Sequence, residues 1–396
     1  MTAAVTIPDW VPPVTSPETL KAAAPREQAV IPENAIIPYA YGAVQIKGMP
    51  FAVKHQEELR RWTVGYLLCM GQIEAIDQIW INGETPLSGV LTNSYTGTTG
   101  QTADALLAAA IGVDYTDTMV FTDEHGTQGL AYVVVEWSDV DHYQGWPTVT
   151  VEVRGRQVFD INAATTQYSA TPILGMRDFC TDPRLLAATT DDTALGLVQT
   201  DNEATVSTEA RREFGLIIDA PLTPDKWLDV FATYAGCYWD HTANEFTAIS
   251  DRPRASVRTL TAADWEETPR GVIADPVKIP TVVRLQYTDT TSDIWRMREV
   301  RKELTGVSTG DPPRRETIVR MPAVTRRSQA GREAQEYLDK MQHKVSGPYK
   351  VNRKKGNSLV LAVQTSEGMK RVGVELRGEN QLILDMDESK TVLKRK

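Results

Sequence analysis

The sequence predicts a β-rich α+β protein in which two β-rich bodies flank a smaller α+β unit. Three observations carry this prediction. Short β-branched and aromatic runs, broken by Gly and Asn-Gly turns, occupy residues 36–153 and recur from 282 onward; two helical patterns lie between them; and one amphipathic helix follows near residue 330. With 396 residues the chain is long enough for two to four domains of ~100–200 residues each. Its 41% hydrophobic and 24% charged side chains match a globular composition and exclude wholesale disorder.

Residues 1–30 carry Pro8, Pro12, Pro13, Pro17 and Pro25 without periodicity and read as an N-terminal arm or linker, whose packing, if any, would be on a partner. Residues 31–159 read as the first β domain. Ile36-Ile37 and Ala43–Ile46 are strand-like between Pro38, Gly42 and Gly48; Trp62–Cys69 and Ala75–Ile81 are apolar runs, the second closing on Asn82-Gly83. Thr102–Ile111 reads as a short helix with Thr102 as N-cap, Asp104 in its first turn and Gly112 past its end. Strands resume at Leu130–Trp137 and Thr148–Val153.

Residues 160–254 read as the α+β domain. Ile173, Leu174, Phe179, Leu185 and Leu186 recur at helical spacing over Thr171–Leu186. A firmer helix spans Pro224–Ala235, with Thr223 as N-cap, Pro224 in the first position, Asp225 at the positive end and Gly236 as the stop. Its inner stripe is Trp227, Leu228, Phe231, Ala232 and Ala235, and a strand follows at Phe246–Ile249. Residues 255–350 read as a second β-rich domain, with strands at Val282–Tyr287 and Thr317–Met321. Its helix, 326–343, starts near Thr325 or Ser328 and carries Ala330, Ala334, Tyr337, Leu338 and Met341 on one stripe. Residues 351–396 read as a C-terminal β segment: Leu359–Val363, Val372–Leu376 and Gln381–Leu384. No repeat of 20–50 residues is evident.

Net charge is −10, unevenly placed: residues 1–157 hold 18 acidic and 8 basic side chains, whereas 158–396 hold 34 of each. From Trp62 to Val153 there is no Lys or Arg, against 12 acids. Such a stretch cannot grip nucleic acid, because phosphate binding needs cations. It reads either as a solvated acidic face or as a surface past which a polyanion moves without sticking. The start of the chain lacks a basic n-region and an apolar h-region, so no secretory signal is expected, and no 18-residue apolar run predicts a membrane helix. Cys69, Cys180 and Cys237 are too few and too far apart for a disulfide framework or a paired-cysteine zinc site, which fits a reducing compartment.

Residues with chemical potential assemble into no known pattern. The five histidines are scattered, and only Asp139-Val-Asp141-His142 resembles a ligand set; acids alternating out of a strand more often mark a turn, so neither metal nor cofactor is expected. Gly97-Thr-Thr-Gly100 has the outline of a phosphate loop but lacks the following Lys. Cys69 and Cys237 sit in apolar and aromatic surroundings and read as inert. The carboxylate pairs Glu57-Glu58 and Asp191-Asp192 lie in no aromatic sugar cleft. The basic clusters Arg326-Arg327, Arg353-Lys354-Lys355 and Lys394-Arg395-Lys396 lack interleaved aromatics, so acidic partner surfaces suit them better than nucleic acid. No enzyme is expected.

Seven segments, in order, are IPYAYGAVQIKG (37–48), VGYLLCMGQIEAIDQIWINGE (64–84), VTVEVRGRQVFD (149–160), TPILGMRDFCTD (171–182), EARREFGLIIDAPLTPDKWLDVFATYAGCYWDHTANEFTAISDRP (209–253), PTVVRLQYTD (280–289) and MPAVTRRSQAGREAQEYLDKM (321–341). Together, and in this order, they resemble the hub part of phage tail-tip proteins, the lambda tip attachment protein J family, which is related to the baseplate hubs of tailed phages.

The resemblance implies two tube-like β-barrel domains with an inserted small α+β domain. It also implies a homotrimer that closes the distal end of the tail tube in the virion, after assembly in the bacterial host cytoplasm. Implied partners are the distal tail and tail tube proteins, the tape measure protein, and fibre or spike proteins. DNA would pass during ejection without specific binding. Long family members continue into fibre and receptor-binding domains, so here receptor recognition is expected from a separate fibre or spike protein. With a conducting lumen, Glu74, Asp77, Glu84, Asp104, Asp114, Asp117, Asp123 and Glu124 become the expected lining acids. The competing expectations are a tail-associated peptidoglycan-degrading protein, which needs a catalytic pair in a cleft, and a virion carbohydrate-binding module, which needs a row of exposed tryptophans.

Overall fold

A computed structural model describes residues 36–98, 100–101, 104–111, 129–138, 143, 147–242, 245–251, 272–273, 279–291, 295–310, 312–342 and 345–346, with strand segments 361–365, 368–376, 381–385 and 391–394. The Pro-rich arm, the Asp139–His142 set, and Asp114, Asp117, Asp123 and Glu124 lie outside the described residues.

The first body comprises β1 (Tyr39–Tyr41), β2 (Ala43–Lys47), β3 (Met49–Gln56), β4 (Arg61–Met70), β5 (Ile73–Ile81), β6 (Leu91–Thr96), α1 (Ala105–Ile111), β7 (Leu130–Ser138), β8 (Val149–Asp160) and β9 (Thr165–Tyr168). One sheet runs β2-β8-β5, with β9 paired to the far half of β8; the other runs β3-β4-β7-β6. Strand alternation explains why they stack. Val44, Ile46, Val149, Val151 and Val153 from the first sheet meet Val64, Tyr66, Leu68, Val133 and Val135 from the second in one core. On the outer face of the second sheet, Leu107 of α1 packs with Ala52, Tyr132 and Val134.

The expected β-rich α+β class holds, but among the described residues neither β body closes into a barrel. Among the described residues β5 and β6 form no ladder, and the bridge between Ile81 and Glu84 only closes the Asn82-Gly83 turn. β5 is bulged around Asp77, where the register against β8 shifts between Ile76 and Gln78, and it then turns at Asn82-Gly83. The bulge lies on the β8 side of β5, where it bends the strand and sharpens its twist.

The second part comprises α2 (Pro172–Thr181), β10 (Thr189–Thr190), α3 (Asp192–Glu203), β11 (Thr205–Val206), β12 (Glu209–Ala210), β13 (Leu216–Ile218), α4 (Pro224–Ala235), β14 (Cys237–Thr242), β15 (Glu245–Ser250), β16 (Val272–Ile273), β17 (Val282–Asp289), β18 (Arg296–Glu303), β19 (Glu316–Arg320), α5 (Arg327–Gln342) and β20 (Val345–Ser346). The C-terminal segment folds as an antiparallel meander of β21 (Leu361–Thr365), β22 (Gly368–Leu376), β23 (Gln381–Asp385) and β24 (Thr391–Lys394).

β17 is the central strand of the β18-β17-β19 sheet, antiparallel to β18 and parallel to β19. One hydrophobic core crosses the boundary expected at 254/255. Leu174, Leu228 and Phe231 share it with Val283 and Leu285 of β17 and with Ala330, Ala334 and Leu338 of α5. Tyr39 and Tyr41, from the stretch assigned to the first domain, also belong to this core, because β1 pairs with β13.

Helix ends depart from expectation for local reasons. α1 begins at Ala105, capped by Asp104, whose Oδ1 accepts a hydrogen bond from the Leu107 N–H at 2.8 Å. α2 ends at Thr181, because Pro183 cannot continue it. α3 was not expected: Asp191, read as half of a carboxylate pair, is its N-cap and accepts from Ala194 N–H at 3.0 Å. α4 matches its predicted bounds, with Gly236 left-handed at φ 60°, although Thr223 caps through its backbone carbonyl and not its side chain.

Candidate functional site

The cation-free stretch is the feature the sequence marks most strongly, and the structure shows how its acids are spent. Arg154, one residue past its end, reaches from β8 across to β5, with Nε 3.1 Å from Asp77 and Nη1 3.9 Å from Glu74. Arg61, one residue before its start, lies 3.3 Å from Glu136, which also accepts from the Thr63 hydroxyl at 3.1 Å. The two flanking arginines thus pair with three acids inside the stretch and offset two of their charges. Asp104 lines no surface: it is 0% exposed and accepts from Asn93 Nδ2 and the Tyr95 hydroxyl in addition to capping α1. Its expected lumen role is corrected, since a short side chain with those partners is held inside the fold. Glu152 is half-buried, and burial first, then the nearby Asp77, raises its carboxyl. Of the eight acids singled out, only Glu84 is exposed and without an ion pair among the described residues.

A buried ionic joint ties the first body to the helical part. Arg156, 3% exposed, leaves β8 toward α2 and lies 2.9 Å from Asp182 and 3.3 Å from Asp178. Its guanidinium carbon stands 5.1 Å from the Tyr39 ring centroid and 5.9 Å from that of Tyr41, while the Tyr41 hydroxyl donates to Asp178 at 2.8 Å. Asp182 is also gripped by Arg184 at 2.7 Å. Burial alone would raise Asp182, yet the hydrogen bonds from Arg184 and the charge of Arg156 hold it down at about 2. Asp178, where burial outweighs Arg156, is raised.

A second joint fixes α5. Arg212, 5% exposed, projects between α4 and α5, 2.7 Å from Glu333 and 2.5 Å from Glu336. Gly236 leaves room for it: a Cβ there would lie 2.5 Å from the guanidinium carbon. Around it, Arg326 and Arg332 converge on Glu209, and Lys340 pairs with Asp251. No sequence motif marks either joint; the residues are isolated arginines whose partners lie 22–26 or more than 120 positions away.

The described residues offer little for covalent chemistry. Cys69, Cys180 and Cys237 are buried, and burial pushes their thiols up to about 12. No group of three metal-ligating side chains converges among the described residues. No helix among them is long and apolar enough to cross a membrane.

Two sheets present outward faces. On the first, Gln45, Glu152 and Gln78 form a cross-strand row, and Gln45 accepts from the Trp295 backbone N–H at 3.4 Å. On the second, α5 covers one face through Val283, Leu285 and Tyr287, while Arg284, Gln286 and Thr288 point the other way. There Arg284 bridges Glu299 of β18 and Glu316 of β19 at 2.5 and 3.7 Å.

With this geometry, the chain resembles a chain in the virion of a native gene transfer agent particle, at a TM-score of 0.60 and 17% identity over 93% of this chain and 86% of that one. It also aligns with the 43 kDa tail protein of prophage MuSo2 from Shewanella oneidensis, at a TM-score of 0.33 and 10% identity over 91% of this chain and 97% of that one. The first likeness establishes a shared fold over nearly the whole chain. By sequence, no family model and no curated relative matches.

Proposed function

We propose that the chain is a structural protein of a phage-type virion tail and, within it, the hub of the tail tip or baseplate. The observation carrying this reading is the fold shared with a gene transfer agent virion chain over 93% of the sequence. The ordered resemblance of residues 35–345 to tail-tip hubs supports the finer assignment. In this reading three copies close the distal end of the tail tube, contacting distal tail, tube and tape measure proteins and anchoring a fibre or spike. The protein acts as a scaffold and not as an enzyme, a role that suits buried ion pairs and buried thiols.

DNA passing the Trp62–Val153 stretch in such a ring would meet no Lys or Arg of that stretch, and the flanking Arg61 and Arg154 are engaged by acids. Of the eight expected acids, those left for a channel wall are Glu84, exposed and without an ion pair among the described residues, and the four outside those residues, Asp114, Asp117, Asp123 and Glu124. Immunogold labelling of an epitope-tagged chain tests the assignment. Label at the distal tail end is expected; label on the head or along the tube would overturn it. Cell-wall clearing that disappears with one carboxylate or cysteine substitution would overturn the non-enzymatic part.

A further inference from the structure

Eight large apolar side chains are exposed among the described residues, and four of them fall into two pairs. Leu87 and Leu91, 43% and 48% exposed, sit on the loop entering β6 and on β6 itself. Met297 and Ile318, 51% and 54% exposed, lie on the sheet face that α5 leaves open, flanking β17 from β18 and β19 opposite Thr288 and Arg284. Each pair has an exposed charge beside it that makes no ion pair among the described residues: Glu84 near the first, and Arg320, two residues along the same face from Ile318, near the second. The signs are opposite.

The surroundings reinforce this. The first patch lies within the cation-free stretch, whereas strands β17, β18 and β19 carry six Lys or Arg against four acids. Among the described residues β6 (LTNSYT) is an edge strand with no charge, proline or bulge, unlike β3 with Pro50, Lys54 and a register shift, or β18 with six charged residues of eight. An edge without such protection invites cover.

We propose that the Glu84–Leu87–Leu91 patch of one copy docks on the Met297–Ile318–Arg320 face of a second copy of this chain. The two patches differ, so the contact is heterologous and propagates around a ring. The proposal deepens the hub reading and rests on it, and it assigns Glu84 to a contact between copies, not to a channel wall.

The test is site-directed cross-linking of the full-length protein in assembled tails with a short bismaleimide. The native cysteines are buried, so they provide a silent background. Leu91→Cys with Ile318→Cys in one chain, or the two single variants mixed, should give cross-linked oligomers roughly tenfold above either single variant alone. In solution, Ile318→Glu should weaken self-association by roughly tenfold or more, as a carboxylate is brought against Glu84. Leu197→Glu, equally exposed on α3, should change nothing. Three copies per tail without a Leu91–Ile318 cross-link would overturn this contact and leave the hub reading standing. A cross-link at another copy number would keep the contact and overturn the hub stoichiometry, and a single copy would overturn both.

Discussion

Arg156 is where the polar interior of the molecule converges, and its removal has a calculable sign. Arg156→Met leaves the buried Asp178 without its main counter-charge and Asp182 with Arg184 alone, so a loss of about 3–5 kcal/mol is expected in urea unfolding. The pH dependence follows from Asp182. Its folded value near 2 lies below its ordinary 3.8, so its contribution is complete above that ordinary value and is lost as pH falls toward 2. Asp178, raised, works in the opposite sense as pH falls. Acid unfolding of Asp182→Asn should therefore vary less steeply with pH between about 4 and 2 than that of the wild type. Trp227 is a residue whose place was legible: its helical spacing predicted burial, and it is 7% exposed in the shared core. Trp227→Ala is expected to cost about 3–5 kcal/mol; an unchanged melting profile would contradict that packing. Arg156 and Arg212 were not legible, because a lone arginine carries no spacing signal and its partners are assigned only by the tertiary fold.

At the scale of elements, legibility follows the apolar pattern. α4 was readable to the residue because proline, an amphipathic stripe and a terminal glycine agree. Gly236→Ala is expected to destabilise by about 1–3 kcal/mol, since φ 60° disfavours a side chain and the added Cβ meets the Arg212 guanidinium. Thermal unfolding checks this, and a neutral effect would show that Arg212 can move aside. α3 was missed because Asp191 and Asp192 drew attention as carboxylates and not as a cap. β18 was missed because RMREVRKE alternates no apolar face; its pairing with β17 is enforced by the neighbouring strand. α1 was found but begins at Ala105, because Asp104, expected in its first turn, is the residue that accepts from the Leu107 N–H. Asp104→Ala should cost about 1–2 kcal/mol and speed amide exchange in α1.

At the scale of the whole molecule, the two unclosed sheets of the first body, the core shared by α2, α4, β17 and α5, and the two ionic joints leave sheet edges unpaired among the described residues. The β-rich class was legible from strand and turn chemistry, whereas which strands pair was not, because an apolar alternation marks a strand's buried face and not its neighbours. If the remaining acids line a channel, replacing Asp114, Asp117 and Asp123 with lysine should slow DNA ejection from particles that still assemble. Normal ejection kinetics would end that part of the account. The central claim is that the chain is the hub of a virion tail, and cryo-electron microscopy of intact tails tests it most directly. The account predicts three copies in a closed ring at the distal end of the tube. One or six copies, or density for this chain elsewhere in the particle, would contradict it.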